Sequence, residues 1–216
     1  MRQIFEAELR ALGEGLETMS GLVQDAITKA GVALVSTDLA VAEAVIADDL
    51  AIDRLEEELD ERCVRLLAQQ QPVATDLRMV VSGLRISASL ERMGDLARHI
   101  AQVARGRYPR HAVPPHLTQT FVEMDAAAVR LSQRLVELLT TRDLAVAAAI
   151  EAADDLLDDL HEDTFKALLG ASWAGSAQEA VDVTLLSRYY ERFGDHGVSV
   201  ARRITYLVTG EVQGSV

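Results

Sequence analysis

A chain of 216 residues with a formal net charge of −13 and 49% hydrophobic residues is long enough to bury a substantial core, and its acidic surface repels nucleic acid and anionic membrane alike. Aromatic residues make up only 4%, while Ala, Leu and Val abound, a balance suited to helices packing on helices. Cys63 is the sole cysteine, so no internal disulfide forms and a reducing, cytoplasmic setting is expected.

In chain order, the first segment shows an apolar seam at Phe5, Leu9, Leu12, Leu16, Met19, Val23, Ala26 and Ala30. Steps of three and four are the spacing of a helix packed along its length. The opening Met1–Glu6 lacks the apolar core of a signal peptide, and no uncharged run reaches the ~18 residues of a membrane span. Ser36-Thr37-Asp38 supplies N-cap chemistry for a second helix, striped by Ile52, Leu55, Leu59 and Leu66 and expected to reach Gln71. On such a helix Cys63 reads as a small buried hydrophobe. Pro72 is expected in the first turn of a third helix, whose seam is read as Leu77, Val81, Leu84 and Ala88. Three of the four prolines lie in Gly106–Pro115, the clearest break in the chain, and the boundary between units 1–108 and 109–216 is placed there. Further helices are expected at about Thr118–Thr140, Asp143–Leu169 and Gln178–Thr209, with a loop at Gly170–Ser176. No strand alternation is sustained. The fold class is all-α: two tandem, sequence-related three-helix bundles.

The tandem reading rests on repetition. Leu90-Glu91-Arg92-Met93-Gly94-Asp95 returns as Tyr190-Glu191-Arg192-Phe193-Gly194-Asp195, 100 residues on. Asp38-Leu39-Ala40-Val41-Ala42 returns unchanged as Asp143-Leu144-Ala145-Val146-Ala147, 105 residues on. Two echoes in the same order mark a duplicated unit. The difference of five places a shortened connection at Gly170–Ser176 relative to Gln69–Thr75.

Residues four apart share a helix face, so Glu91 pairs with Asp95 and Glu191 with Asp195. Glu91 and Asp95 continue the step of the seam Leu77, Val81, Leu84, Ala88, as if carboxylates replaced packing residues. Asp49 with Asp53, and their counterparts Asp154 with Asp158, give each second helix a matching pair, with Asp48 and Asp155 beside them. Four carboxylates converging in each unit would form an all-oxygen site for a divalent or trivalent cation, because unpaired buried carboxylates cost several kcal/mol. His99 extends the first set by one turn; Ser199 stands at the matching place in the second, with His196 next to Asp195. Arg92, Arg98, Arg192 and Arg202 are close enough for ordinary ion pairs, and Arg188 for one with Glu191. Spacing therefore leaves two readings open, a cation site or salt-bridged, solvated faces. No phosphate-cradling loop, dinucleotide fingerprint, Glu-x-x-His pair or zinc-protease motif is present, and catalysis is not expected.

The duplicated motif, with Gln71-Pro72-Val73-Ala74-Thr75-Asp76-Leu77-Arg78 and the terminal Tyr206-Leu207-Val208-Thr209-Gly210-Glu211, resembles the PhoU family over almost the whole chain. The resemblance implies paired three-helix bundles and a cytoplasmic negative regulator of phosphate uptake and phosphate-starvation signalling. Such a regulator is an adaptor between the cytoplasmic subunit of a phosphate ABC transporter and a sensor histidine kinase, often as a homodimer. It further implies that Asp49, Asp53, Glu91, Asp95, Asp154, Asp158, Glu191 and Asp195 hold metal ions, among which iron, zinc, manganese and magnesium are candidates. Leu96 stands where the family's usual pattern has His, and Ser199 where it has Asn. A carboxylate-bridged metalloenzyme and a metal-free helical scaffold are the alternative readings.

Overall fold

The structure, a computed structural model, describes residues 2–70 and 72–211. It consists of α1 (Arg2–Ser36), α2 (Leu39–Gln70), α3 (Ala74–Arg107), α4 (Thr118–Thr141), α5 (Leu144–Leu169) and α6 (Ala177–Thr209), with a 3-10 turn at Pro115–Leu117 ahead of α4. Among the described residues there is no strand, and no helix is long and apolar enough to cross a membrane.

Local chemistry sets several of the helix starts. Asp38 Oδ1 accepts a hydrogen bond from the Val41 amide at 3.1 Å, and its counterpart Asp143 Oδ1 accepts from the Ala145 amide at 2.8 Å. Ser176 and Glu179 form a reciprocal capping box, which is why α6 begins at Ala177. Pro72 does not enter the first turn of α3. Val73, in extended backbone (φ −124°, ψ 155°), stands at the N-cap and separates it from the helix. Gln71, the expected end of α2, lies outside the described residues. The five-residue shortening also falls elsewhere than expected. It comes out of a helix, since α5 has 26 residues against 32 in α2, and the turn after α5 is the longer of the two connections.

Helices α1–α3 pack on one another, as do α4–α6, and the two groups join through α3 against α6 and α1 against α4. The buried residues of both form one continuous apolar cluster. The α1 seam is as expected: Phe5, Leu12, Leu16, Met19, Val23 and Ala30 are buried, with Leu9 and Ala26 packed against them. Cys63 is fully buried, and burial pushes its thiol up to about 11, which leaves it inert.

Helix α3 differs from its sequence reading. Its buried face is Val80, Gly83, Ile86, Ser87, Leu90, Met93, Gly94 and Ala97, while Leu77, Val81 and Ala88 are exposed and Leu84 only partly covered. Small residues make up much of the packed side, because α3 is pressed between α1, α2 and α6. The more apolar-looking stripe was left outside.

Helices α3 and α6 run antiparallel along their seam. Successive contacts pair Arg78 with Tyr206, His99 with Tyr189 and Arg107 with Asp182, so one number falls as the other rises. The last of these is a two-pronged bond, Nε to Oδ2 at 2.5 Å and Nη2 to Oδ1 at 2.9 Å, onto a carboxylate that is 3% exposed.

Candidate cation-binding clusters

The carboxylate that truly replaces a packing residue is on α2. The buried stripe Ala42, Val45, Ile52, Leu59, Cys63, Leu66 is interrupted by Asp49, itself 4% exposed. Asp154 interrupts α5 in the same way, between Ile150 and Leu157. Glu91 and Asp95 are half-buried on the outer flank of α3, so the inference that they continue its packed seam is corrected: the seam they continue is the exposed one.

Two glycines explain how Asp49 and Asp154 reach that flank. A Cβ on Gly94 would lie 2.8 Å from Ile52 Cδ1 and 3.4 Å from Asp49 Oδ1; one on Gly194 would collide with the Asp154 carboxylate and with Leu157. Each glycine lets an aspartate of the preceding helix lie against the backbone of α3 or α6, one residue before the Asp of the repeated motif. Five of the motif's six positions are thereby accounted for: Leu90 or Tyr190 and Met93 or Phe193 anchor the helix in the core, Gly admits the neighbour's carboxylate, and Glu and Asp flank it.

The acids of each set act on one another. Burial first, then Asp53 and Asp95, push Asp49 up to about 6 against the lowering pull of Arg98. Glu91 is raised by burial, and by Asp95 and Asp53. In the second repeat burial, with Asp158, Asp195, Asp155 and Glu191, pushes Asp154 up to about 7. Asp158 and Glu191 are raised chiefly by burial, with Asp195 adding to both. Among the described residues, however, no group of three or more His, Cys, Asp or Glu stands in metal-holding geometry. The carboxylates are near enough to repel one another, without forming a closed ligand shell.

The two sets are neutralised differently. In the first, Arg98 places Nε 2.7 Å from Asp49 Oδ2, without hydrogen-bond alignment, and donates from Nη2 to Asp95 Oδ1. Arg92 adds a bond to Asp95 Oδ2 at 2.9 Å and stands 3.4 Å from Glu91. In the second, the residue at the Arg98 position is Val198, and Arg192 contacts His196 at 3.4 Å. Arg188 binds Glu191, as its position suggested, but Asp154 Oδ1 and Glu191 Oε2 are buried with no hydrogen-bond partner. Arg202 pairs with Glu151 at 3.3 Å, outside either set. The second set has two unsatisfied buried oxygens and a guanidinium, Arg188, on one acid only, a donor chemistry that suits a hard divalent or trivalent cation. The first set fits one less well, since a guanidinium already lies between two of its acids.

The histidines lie near these acids, yet burial lowers the pKa values of His99, His161 and His196 more than Asp95, Asp158 and Asp195 raise them. The His99 ring lies against Tyr189 at 5.2 Å, and burial lowers its pKa. His161 bonds Ser187 through Nδ1 at 3.0 Å. Sequence reasoning missed Asp125 of α4, which presses on Gly31 of α1 and accepts a bond from the fully buried Tyr190 hydroxyl at 3.4 Å; burial pushes it up to about 6. An acid beside Met124 and the run Ala126–Val129 was its only signal.

Fold and site together define a tandem-repeat helical bundle that carries a duplicated acidic motif on its surface. The sequence model of the PhoU domain matches residues 16–104 and 121–204, one match per repeat, and the chain belongs to the PhoU family. It is 44% identical over 210 residues to the phosphate-specific transport system accessory protein PhoU homolog 2 of Mycobacterium tuberculosis, covering 97% of this chain and 99% of that one. Homolog 1 of Mycobacterium leprae is 42% identical, over 97% and 95%. The crystal structure of PhoU from Pseudomonas aeruginosa superposes with a TM-score of 0.86 at 28% identity, covering 96% of this chain and all of that one.

Proposed function

We propose that this chain is a non-catalytic regulator of phosphate uptake and phosphate-starvation signalling. It acts in the cytoplasm as an adaptor between the cytoplasmic subunit of a phosphate ABC transporter and a sensor histidine kinase. The observation that carries this reading is the full-length match to relatives described as accessory proteins of a phosphate-specific transport system, with both copies of the motif in place. Bridging suits the architecture: one continuous core fixes two similar faces in a constant relation, and rigid faces lose little entropy on docking. Contact holds the kinase in its non-signalling state when phosphate is plentiful, and loss of contact releases it.

In this reading the acidic clusters are structural. Asp154, Asp158, Glu191 and Asp195 hold a divalent or trivalent cation that supplies charge neutralisation and fixes α5 against α6; iron, zinc, manganese and magnesium all suit oxygen ligands to differing degrees. Asp49, Asp53, Glu91 and Asp95 form the weaker site, because Arg98 competes for it. The exposed apolar residues Val81 and Val181, which occupy equivalent positions in the two repeats, suit burial in a homodimer.

The decisive test is genetic. Deleting the gene should leave the alkaline-phosphatase response fully on in high phosphate, and restoring it should repress that response; normal repression without the gene defeats the proposal. Metal content of protein purified without chelator is measured beside it, and sedimentation velocity reads the oligomeric state.

A further inference from the structure

One stretch of the α3/α6 seam is built against the composition of the chain. Acidic residues outnumber basic ones by 34 to 21, yet the cavity of about 530 Å³ lined by Arg85, Ser89, Ser199, Arg202, Arg203 and Tyr206 contains no carboxylate. Among the described residues Arg85 and Arg203 make no ion pair, and the Ser199 and Tyr206 hydroxyls make no hydrogen bond. Arg202 is held by Glu151 at the margin, at 3.3 Å and largely exposed, a tether that a better anion displaces at small cost. The Ser89 hydroxyl rests on the Arg85 carbonyl. Arg78 lies over the Tyr206 ring at 5.8 Å and fixes its place at the end of the groove.

The duplication supplies a control inside the same molecule. Ser89 and Ser199 face the seam where, at its other end, the equivalent positions are Tyr189 and His99. There the two rings pack against each other, tilted by 37° with centroids 5.2 Å apart. The equivalents of Arg85, Arg202, Arg203 and Tyr206 are Leu185, Gln102, Val103 and Gly106. One end of a pseudo-symmetric seam is thus plugged with rings, and the other is hollowed by two serines and walled with guanidinium groups. Packing alone does not ask for three arginines around a hollow, since like charges brought together repel.

We propose that this groove binds a small soluble phosphoryl anion. Guanidinium forks match phosphate oxygens in pairs, and hydroxyls complete the donor set. The space exceeds one phosphate group and suits a pyrophosphate or the phosphate chain of a nucleotide as well as inorganic phosphate. The inference stands on the groove and does not require the adaptor reading. It is separate from the acidic clusters, which repel such an anion unless a metal bridges it.

Isothermal titration of the full chain, freed of metal on chelating resin, with inorganic phosphate, pyrophosphate and ATP in turn tests it and tells the sources apart; sulfate serves as the control anion. At least one phosphoryl anion binds more tightly than sulfate. Arg85→Gln combined with Arg203→Gln weakens that anion at least tenfold, as does Ser89→Tyr combined with Ser199→His, which copies the plugged end. Asp158→Asn leaves it unchanged. Circular dichroism melts report whether each variant is folded, and the arginine pair serves if the ring-filling pair does not fold. Absence of binding by all three anions at millimolar concentration overturns the proposal. So does binding untouched by the arginine changes, or binding seen only after divalent cation is restored and then lost with Asp158→Asn, which would place the anion on a metal at the acidic cluster.

Discussion

Asp49 and Asp154 occupy the same place in the two repeats, and one side chain separates their circumstances, Arg98 against Val198. Asp154 keeps its proton up to about pH 7 in the folded chain, whereas an ordinary aspartate releases it near 3.8. As pH rises from 4 to 7 the unfolded chain ionises first, so this group's contribution to stability falls across that window and levels off above it. Asp154→Asn removes the fall. In metal-free protein its advantage grows from pH 4 to 7 and reaches about 2 kcal/mol, allowing for solvent screening of a half-buried group. Urea midpoints at pH 5 and pH 8 read the difference, and parallel profiles for the two proteins contradict it. Added divalent cation reverses the order, raising the midpoint of the parent chain while leaving the Asn variant in place. Arg98→Val makes the first repeat resemble the second. Removing the guanidinium from beside buried Asp49 costs about 3 kcal/mol without metal. Cation restores the loss and bound metal per chain increases; a variant whose metal content and stability stay put would show that Arg98 neutralises nothing.

At the scale of the helix, contact between repeats depends on small residues as much as on large ones. Gly31 on α1 faces Asp125 on α4, which in turn accepts the Tyr190 hydroxyl from α6. Gly to Ala inside a helix ordinarily stabilises by about 0.5–1 kcal/mol. Gly31→Ala is expected to do the opposite and cost about 1–3 kcal/mol, because its methyl meets the Asp125 carboxylate in a closed contact. Asp125→Ala should offset part of that loss, and a double-mutant cycle by urea unfolding measures the coupling. Additive effects would mean that the two helices part without strain. The same dependence on small residues explains what could be read from the chain and what could not. Seams of large residues, as in α1, and cap chemistry at Asp38 are visible because spacing and donor geometry are local. The buried side of α3 is not: Ser82, Gly83, Ser87 and Gly94 look polar or neutral, while Leu77 and Val81 look like core. Which side packs is decided by neighbours that arrive from elsewhere in the chain. Repetition picks out the eight carboxylates in the sequence, but among the described residues no three of them stand in metal-holding geometry. The glycines that admit Asp49 and Asp154, and the arginine groove across the seam, became visible only with α3 and α6 side by side.

At the scale of the molecule, two repeats do not make two independent units. α1 packs on α4 and α3 on α6, and the buried residues of both repeats form one cluster. The Arg107–Asp182 bond fixes the last turn of α3 to the first turns of α6, with a carboxylate too buried to be left alone. Cooperativity follows from shared burial: when neither half keeps its core without the other, intermediates with one half folded are too costly to populate. Calorimetry of the intact metal-free chain should therefore show a single transition whose van't Hoff and calorimetric enthalpies agree. Asp182→Ala, which leaves Arg107 without its partner, should lower that transition without splitting it, by about 3 kcal/mol. A peptide of residues 1–108, stripped of the cover that α4 and α6 provide, should bind hydrophobic dye and lack a cooperative melt. Two resolved transitions in the intact chain, or a fragment that melts sharply alone, would mean that each bundle carries its own core and that the seam is only a docking surface.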